Sequence, residues 1–592
     1  MNGKTIALLA YSLVILAATA FVLIWRTEPA GENSEAIESQ LVNDNIDRSS
    51  AEDGLVSSNL TNNQNPHFEI GTECALCHAY SSRATAMRDS AGNNVAPYDL
   101  WEASMMAQSA RDPYWRAVLS AEVHATPSQK AHIEDVCTRC HTPMAAPVST
   151  SPKGEILAFL KADTRQSHLG LDGVSCTVCH QITDKNLGTS ESFTGHFEIN
   201  TESKIFGPHA NPVTMPMQRH VNYTPTHSPH ILKSALCATC HTVITDAVDA
   251  DGAHAASNFH EQAPYLEWRN SVFNDEVAQP SPKARSCQAC HMPTTDTTGA
   301  AIATMLAHNP GGRGFPFLND RQPYGLHSMV GGNALMTRIL RDNRAELGIK
   351  TPASAFDRSL ERIQTFLRQE TGSIEIGQIT REGDLLAIPV TVRNRSGHKL
   401  PTAYPSRRLW VELTVIDAEG QTVFQSGVCN EQGELVDGQG NVLPSELAGG
   451  PILPHFNEIR EPRQVQVYES IMADAVGDKT FYLLRGATFM KNNRLLPLGW
   501  DGGHADAEAT KPAGIDGDPD FIGGEDQLRF LVPTKGTAPY RVHARLQFQT
   551  ISPRHAAELF GNPIPEVRQF EAMYTAADRK PELIDEAEAT VE

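Results

Sequence analysis

The sequence predicts an α+β multidomain chain: a loop-rich, mainly helical N-terminal half, an antiparallel β-sandwich-like second half, and one N-terminal transmembrane helix. Three observations predict it. Residues 5–25 form an uncharged apolar run, cysteine pairs followed by histidine recur through the first half, and past residue 374 the apolar period falls to two. The 592 residues are enough for several cores, and 40% hydrophobic with 20% charged residues is ordinary for a folded protein. A formal net charge of −21 argues against nucleic acid as a partner.

From Thr5 to Trp25 no residue is charged. That length is close to the ~20 residues needed to cross a bilayer. AATA, Ala17–Ala20, imitates a cleavage site, but apolar residues continue past it to Trp25, so residues 1–26 read as an anchor, with cleavage as the alternative. Lys4 precedes the span and mostly acidic residues follow Arg26, which places everything after residue 26 outside the cytoplasm. Residues 27–66 hold eight acidic side chains and only Arg48 as a base, a composition that reads as a flexible acidic linker.

Residues 67–350 carry one device five times: CALCH (Cys74, Cys77, His78), CTRCH (Cys137, Cys140, His141), CTVCH (Cys176, Cys179, His180), CATCH (Cys237, Cys240, His241) and CQACH (Cys287, Cys290, His291). Ten of the eleven cysteines are spent on these units, and every pair is followed by histidine. Zinc and dithiol redox sites have no need of histidine there. A c-type haem does: two thioether bonds fix the porphyrin edge and the adjacent imidazole becomes the proximal iron ligand. One helical turn brings i, i+3 and i+4 to one face, so all three residues reach one macrocycle. Five covalently bound c-type haems are therefore expected. The spacings are irregular, which excludes a solenoid. Eighteen of 23 histidines lie between His67 and His327, a surplus over the proximal ligands that supplies sixth ligands. His327 in HSMVGGN is one candidate, because its glycine neighbours let backbone approach a porphyrin. Met217 in PVTMPMQ is another.

The segments WEASMMAQSARDPYW, GVSCTVCHQI, HILKSALCATCH, EQAPYLEW and HSMVGGN resemble bacterial multihaem c-type cytochromes related to the hydroxylamine-oxidoreductase group, over about residues 70–340 and on into SGHKLPTAYPSRRLWVELTV. The resemblance implies a sixth ligand at His230, seven residues before Cys237, and a sulfur ligand at Met106 or Met105, where related sequences often place histidine. It also implies haem attachment outside the membrane, in accord with the anchor: a single-pass protein of the bacterial inner membrane with its bulk in the periplasm. For a fifth sixth-ligand, His67, His168, His124 and His132 stay open. His398 in SGHKLPT reads more readily as an exposed turn residue, and His543 shares a polar strand face with Arg541 and Arg545.

TPASAFDRSLERIQTFLRQETG predicts a connecting helix over 351–373, opened by Thr351-Pro352, with Phe356, Leu360, Ile363 and Leu367 on one face. Over 374–555, LWVELTVID and YRVHARLQFQ alternate, with Leu409, Val411, Leu413 and Val415, and Val542, Ala544, Leu546 and Phe548, on their inner faces. Pro389 within LLAIPVTV suggests a sheet edge or bulge. DGGHADAEATKPAGIDGDPDF (501–521) lacks EF-hand spacing and reads as a solvated loop. Cys429 reads as a small buried hydrophobe. Residues 556–592 read as an acidic tail.

No nucleophile elbow, phosphate loop or dinucleotide fingerprint occurs, so any chemistry belongs to the haems. The expected function is an electron carrier working between a respiratory donor and acceptor, its partners redox proteins or a membrane quinol-oxidising system. The alternative is an oxidoreductase acting on a small nitrogen or sulfur compound at one open-coordinate haem. The sequence leaves the oligomeric state open.

Overall fold

A computed structural model describes residues 67–145, 155–515 and 517–592. The expected span at Thr5–Trp25 and the acidic linker lie outside these. Among the described residues no helix is long and apolar enough to cross a membrane.

The first half is built from short helices and loops. All five motifs lie on helical turns: Gly71–His78, Lys130–His141, Cys176–Cys179 with His180 as its helical C-cap, Ser234–His241 and Cys287–His291. Longer helices frame them. Pro113–Ala125 starts with proline in its first turn, where a missing N–H costs nothing, and Asp112 accepts the Tyr114 N–H at 2.9 Å as its cap. Two small ribbons complete this half: parallel β1 (Lys204–Gly207) and β2 (Thr224–His227), and antiparallel β3 (Val243–Val248) and β4 (His254–Gln262).

The connecting helix runs Ala353–Phe366, then widens into one π turn, Leu367–Thr371. Its apolar face is as the spacing requires, with Phe356, Leu360, Ile363 and Leu367 buried. Its start is not: Thr351 caps nothing, its hydroxyl donating instead to the Glu102 carbonyl at 3.3 Å.

The second half holds two sheets. The first pairs β5 (Gly372–Ile376) and β6 (Thr380–Glu382) with β7 (Leu385–Asn394), then β14 (Glu525–Pro533), with β10 (Glu458–Ile459) added in parallel. The second runs β12 (Lys479–Thr480), β11 (Val467–Ala473), β8 (Arg408–Ile416), β15 (Tyr540–Gln549), β16 (Glu582–Val591), with β13 (Thr488–Asn492) on β11 and β9 (Thr422–Ser426) on β8. The inward residues of β7, β8, β14 and β15 meet in one apolar core, in which Ile388, Val390, Leu409, Val411, Leu413, Phe530 and Leu546 are fully buried.

Four expectations need correction. Residues 556–592 are no tail: helices Pro553–Phe560 and Pro565–Ala576 pack with Pro113–Ala125 in a shared core, and β16 pairs along β15 from Phe548 to Tyr540. The domain boundary at 555 therefore fails, because these helices fold back onto the first half. Pro389 sits in the interior strand β7, not at an edge. The bulge alternative holds: β5 ends opposite Val390, Gly377 donates its N–H to the Pro389 carbonyl at 2.9 Å, and β6 begins opposite Ala387, so the proline falls where the ladder is interrupted. Third, part of the 501–521 loop is interior, with Asp518 buried. Fourth, His398 is not exposed, as the next subsection describes.

Candidate cofactor cavity

One continuous cavity of about 2390 Å³ runs through the first half, lined by all ten motif cysteines and all five motif histidines. Pockets for one small ligand measure roughly 300–1,000 Å³, so this space suits several large groups rather than one. Met105, Met106, Met217, His209, His327 and His398 also face it. Thiols of different motifs touch: Cys74 with Cys176, Cys140 with Cys240, and Cys237 with Cys287. These contacts join the first motif to the third, and the second, fourth and fifth to one another, all within one cavity.

The histidines reveal which nitrogens are spent. Nδ1 of His78 lies 2.9 Å from the Leu306 carbonyl, His180 2.6 Å from Phe206 O, and His291 2.6 Å from Val330 O. A carbonyl only accepts, so Nδ1 carries the hydrogen and Nε2 keeps its lone pair. Metal-binding histidines are oriented in this way. His141 makes a longer contact, 3.4 Å to Ser109 O, and is stacked flat on Trp115, with ring centroids 4.8 Å apart. Burial lowers the pKa of all five motif imidazoles, to about 4 for His141 and His291. They are neutral and ready to ligate at neutral pH.

Two further histidines share this signature. His327 Nδ1 is tied to Gly325 O at 2.9 Å, and its ring lies 19° from parallel with His180, centroids 6.3 Å apart. His398 Nδ1 is tied to Lys399 O at 2.9 Å, and its ring lies 13° from parallel with His291, again at 6.3 Å. Two metal–nitrogen bonds of about 2.0–2.1 Å, plus roughly 1 Å from each ring centre to its nitrogen, span about 6 Å. Each pair therefore has the separation of two axial ligands on one metal. Burial holds His327 down to about 4 and lowers His398.

His398 reaches the cavity from the second half, on the loop between β7 and β8. Glu267, on helix Pro264–Arg269, holds that loop by accepting the Lys399 N–H at 3.0 Å and the Thr402 hydroxyl at 2.5 Å. Gly397 permits the approach, since a Cβ there would stand 3.0 Å from Trp268 Cδ1. Spacing alone does not reveal this; the only signal is the small residue before a histidine flanked by turn residues.

Other expected ligands fare differently. His230 is buried but does not line the cavity: its Nδ1 accepts from the Ser228 hydroxyl at 2.6 Å and its Nε2–H donates to Ile182 O at 2.8 Å. Its ring instead packs on Phe206, whose carbonyl orients His180. Met106 and Met217 line the cavity. His67, His124, His132 and His168 do not face it. His543 lies on the strand face with Glu586, 3.1 Å away, as its pattern requires. Cys429 packs beside the Trp410 cluster.

The residues present fit c-type haem: paired thiols and one imidazole per helical turn, opening on an apolar-walled space, are that group's complete attachment set. No family model matches the chain, and no curated protein matches it. Among solved structures it is similar to a penta-heme cytochrome c552 from Thermochromatium tepidum, with a TM-score of 0.48, 17% identity, and cover of 89% of this chain and 100% of that one. Likeness of that degree assigns nothing to this chain, and the reading that follows rests on the side chains.

Proposed function

We propose that the chain is a membrane-anchored, periplasm-facing multihaem cytochrome that binds five c-type haems and carries electrons along them between a respiratory donor and acceptor. The observation that carries this is the opening of five CxxCH turns into one cavity with their thiols in contact. Bound haem supplies one-electron chemistry at iron. The protein's part is orientation and exclusion: backbone carbonyls aim Nε2 of His78, His180 and His291, and the surrounding apolar wall removes water. His180 with His327, and His291 with His398, are the two pairs that would each hold one iron. The apolar run Thr5–Trp25 and the acidic stretch behind it support a tethered position outside the cytoplasm, with redox proteins or a quinol-oxidising system as partners.

A second reading, an oxidoreductase for a small nitrogen or sulfur compound, is favoured by one cavity wall. Arg407, buried and held down to about 10, lies near His241 on a wall that Tyr404 and Tyr114 also line. A buried cation beside tyrosine hydroxyls suits a small anion.

One set of measurements tests both. The mature protein should carry the mass of five haems and a covalent haem spectrum after denaturation, and a bare-polypeptide mass would end the proposal. Uniformly low-spin EPR insensitive to carbon monoxide and nitrite supports the carrier, whereas a high-spin signal that moves with either ligand supports the oxidoreductase. Replacing His398 by alanine should convert one low-spin iron to high-spin. An unchanged spectrum would remove His398 from the ligand set.

A further inference from the structure

Outside the cavity lining, the second half gathers three carboxylates, two buried and one half-buried. Asp526 on β14 is fully buried, and Asp518 and Asp520 come from the loop just before it. Around them stand His455 and Tyr468. His455 Nε2 lies 2.8 Å from Asp518 Oδ2 and 3.8 Å from Asp526 Oδ2, and the Tyr468 hydroxyl donates to Asp526 Oδ2 at 2.6 Å.

The charge on His455 follows from its neighbours. Gln466 Oε1 accepts the Phe456 N–H and Asn493 Oδ1 accepts the Glu469 N–H, which fixes both amides with their NH₂ groups toward His455. These lie 2.7 and 3.1 Å from His455 Nδ1, so that nitrogen is an acceptor. Nε2 therefore carries the hydrogen and donates it to Asp518. The imidazole is neutral, and its role is to hold a carboxylate in place.

Three carboxylates thus share this site with no lysine or arginine paired to any of them among the described residues. One oxygen on each of two of them, Asp526 Oδ1 and Asp520 Oδ1, is buried without any hydrogen-bond partner. A buried acceptor left unmade is costly, and a buried anion without a counter-charge more so. The nearest carboxylate oxygens of Asp518 and Asp526 lie within 4.8 Å of each other, and the Asp520 carboxyl lies against that of Asp518. Oxygens that share a calcium ion at about 2.3–2.6 Å lie within about 5 Å of each other.

We propose that Asp518, Asp520 and Asp526 bind one calcium ion, with His455 and Tyr468 positioning the carboxylates. The donors are hard oxygens, the imidazole nitrogen is spent, and an irregular loop accommodates calcium's flexible shell better than the strict octahedron of magnesium. The ion would fasten the 501–521 loop to the sheet edge at β14. This inference is independent of the haem proposal.

The test uses the purified full chain with its cofactors. After dialysis against calcium-containing buffer and gel filtration, elemental analysis should find about one calcium per chain. A chelator should lower the unfolding temperature by several degrees, and added calcium, not magnesium, should restore it. Asp526→Asn should weaken calcium binding at least tenfold and leave the unfolding temperature insensitive to the chelator. Should that variant not fold, Asp518→Asn is the second probe, and the wild-type stoichiometry is decisive without either. No calcium retained and no response to chelator or calcium would overturn the proposal, and would mean that protons neutralise the site.

Discussion

The two halves of this molecule solve the burial problem in opposite ways. One apolar core of 29 buried residues lies between the two sheets, and all but Ala334, Leu360, Ile363 and Leu367 come from the second half. In the first half, apart from the core it shares with the C-terminal helices, buried apolar residues fall into small separate groups, such as the seven around Phe68 and Leu169 or the four around Met87, set around a cavity of about 2390 Å³. A core of that kind is closed only by what fills it. The comparison teaches that one half is folded by its own side chains, whereas the other, with haems bound as proposed, would be completed by its cofactors.

The harshest way to break that contrast is to deny the cavity its contents. Replacing all ten motif cysteines by serine should abolish amide hydrogen-exchange protection through most of residues 67–330, while β7, β8, β14 and β15 stay protected. Equal protection in both halves would show that the first half needs no filling. Next in size is a deletion inside the self-sufficient half. Phe530, fully buried between the sheets, should cost roughly 3–5 kcal/mol when replaced by alanine, read from denaturant unfolding. A value under about 1 kcal/mol would mean that the core is less tightly built than its burial indicates. The smallest test lies at the seam. Glu122, from the first half, accepts the Leu483 N–H of the second at 2.5 Å, and burial pushes its carboxyl from the ordinary 4.5 up to about 8. The folded state then binds this proton more tightly than the unfolded state. The contribution is fully present below about pH 4.5 and is lost as pH rises toward about 8. Glu122→Gln should flatten the stability–pH profile in that window. An unchanged slope would assign it to other groups.

Much of the covalent chemistry is legible in the sequence, because a CxxCH turn is local: spacing and helical geometry alone put its three side chains on one face. What stays hidden depends on partners far along the chain. His230 has suggestive spacing, yet spacing does not reveal where a ring points, and Ser228 and Ile182 O claim both its nitrogens. His398 looks like a turn residue until Glu267 and Gly397 dock its loop against Trp268. The last strand was masked by its acids: in ELIDEAEATV the outward side chains are charged and the inward ones mostly small, so an edge strand imitates a disordered tail. Pro389 is explained only by a gap in a neighbouring strand, and buried Asp518 only by the sheet that the loop crosses.

The contacts between thiols of different motifs have a consequence for how this molecule would titrate. Haems bonded to Cys74 and Cys176, to Cys140 and Cys240, or to Cys237 and Cys287 would be close neighbours, in surroundings that screen charge poorly. The first electron to arrive raises the cost of placing a second one beside it. Midpoint potentials would therefore be properties of the assembly, broadened and not assignable one by one, and the order of reduction would depend on which neighbours are already filled.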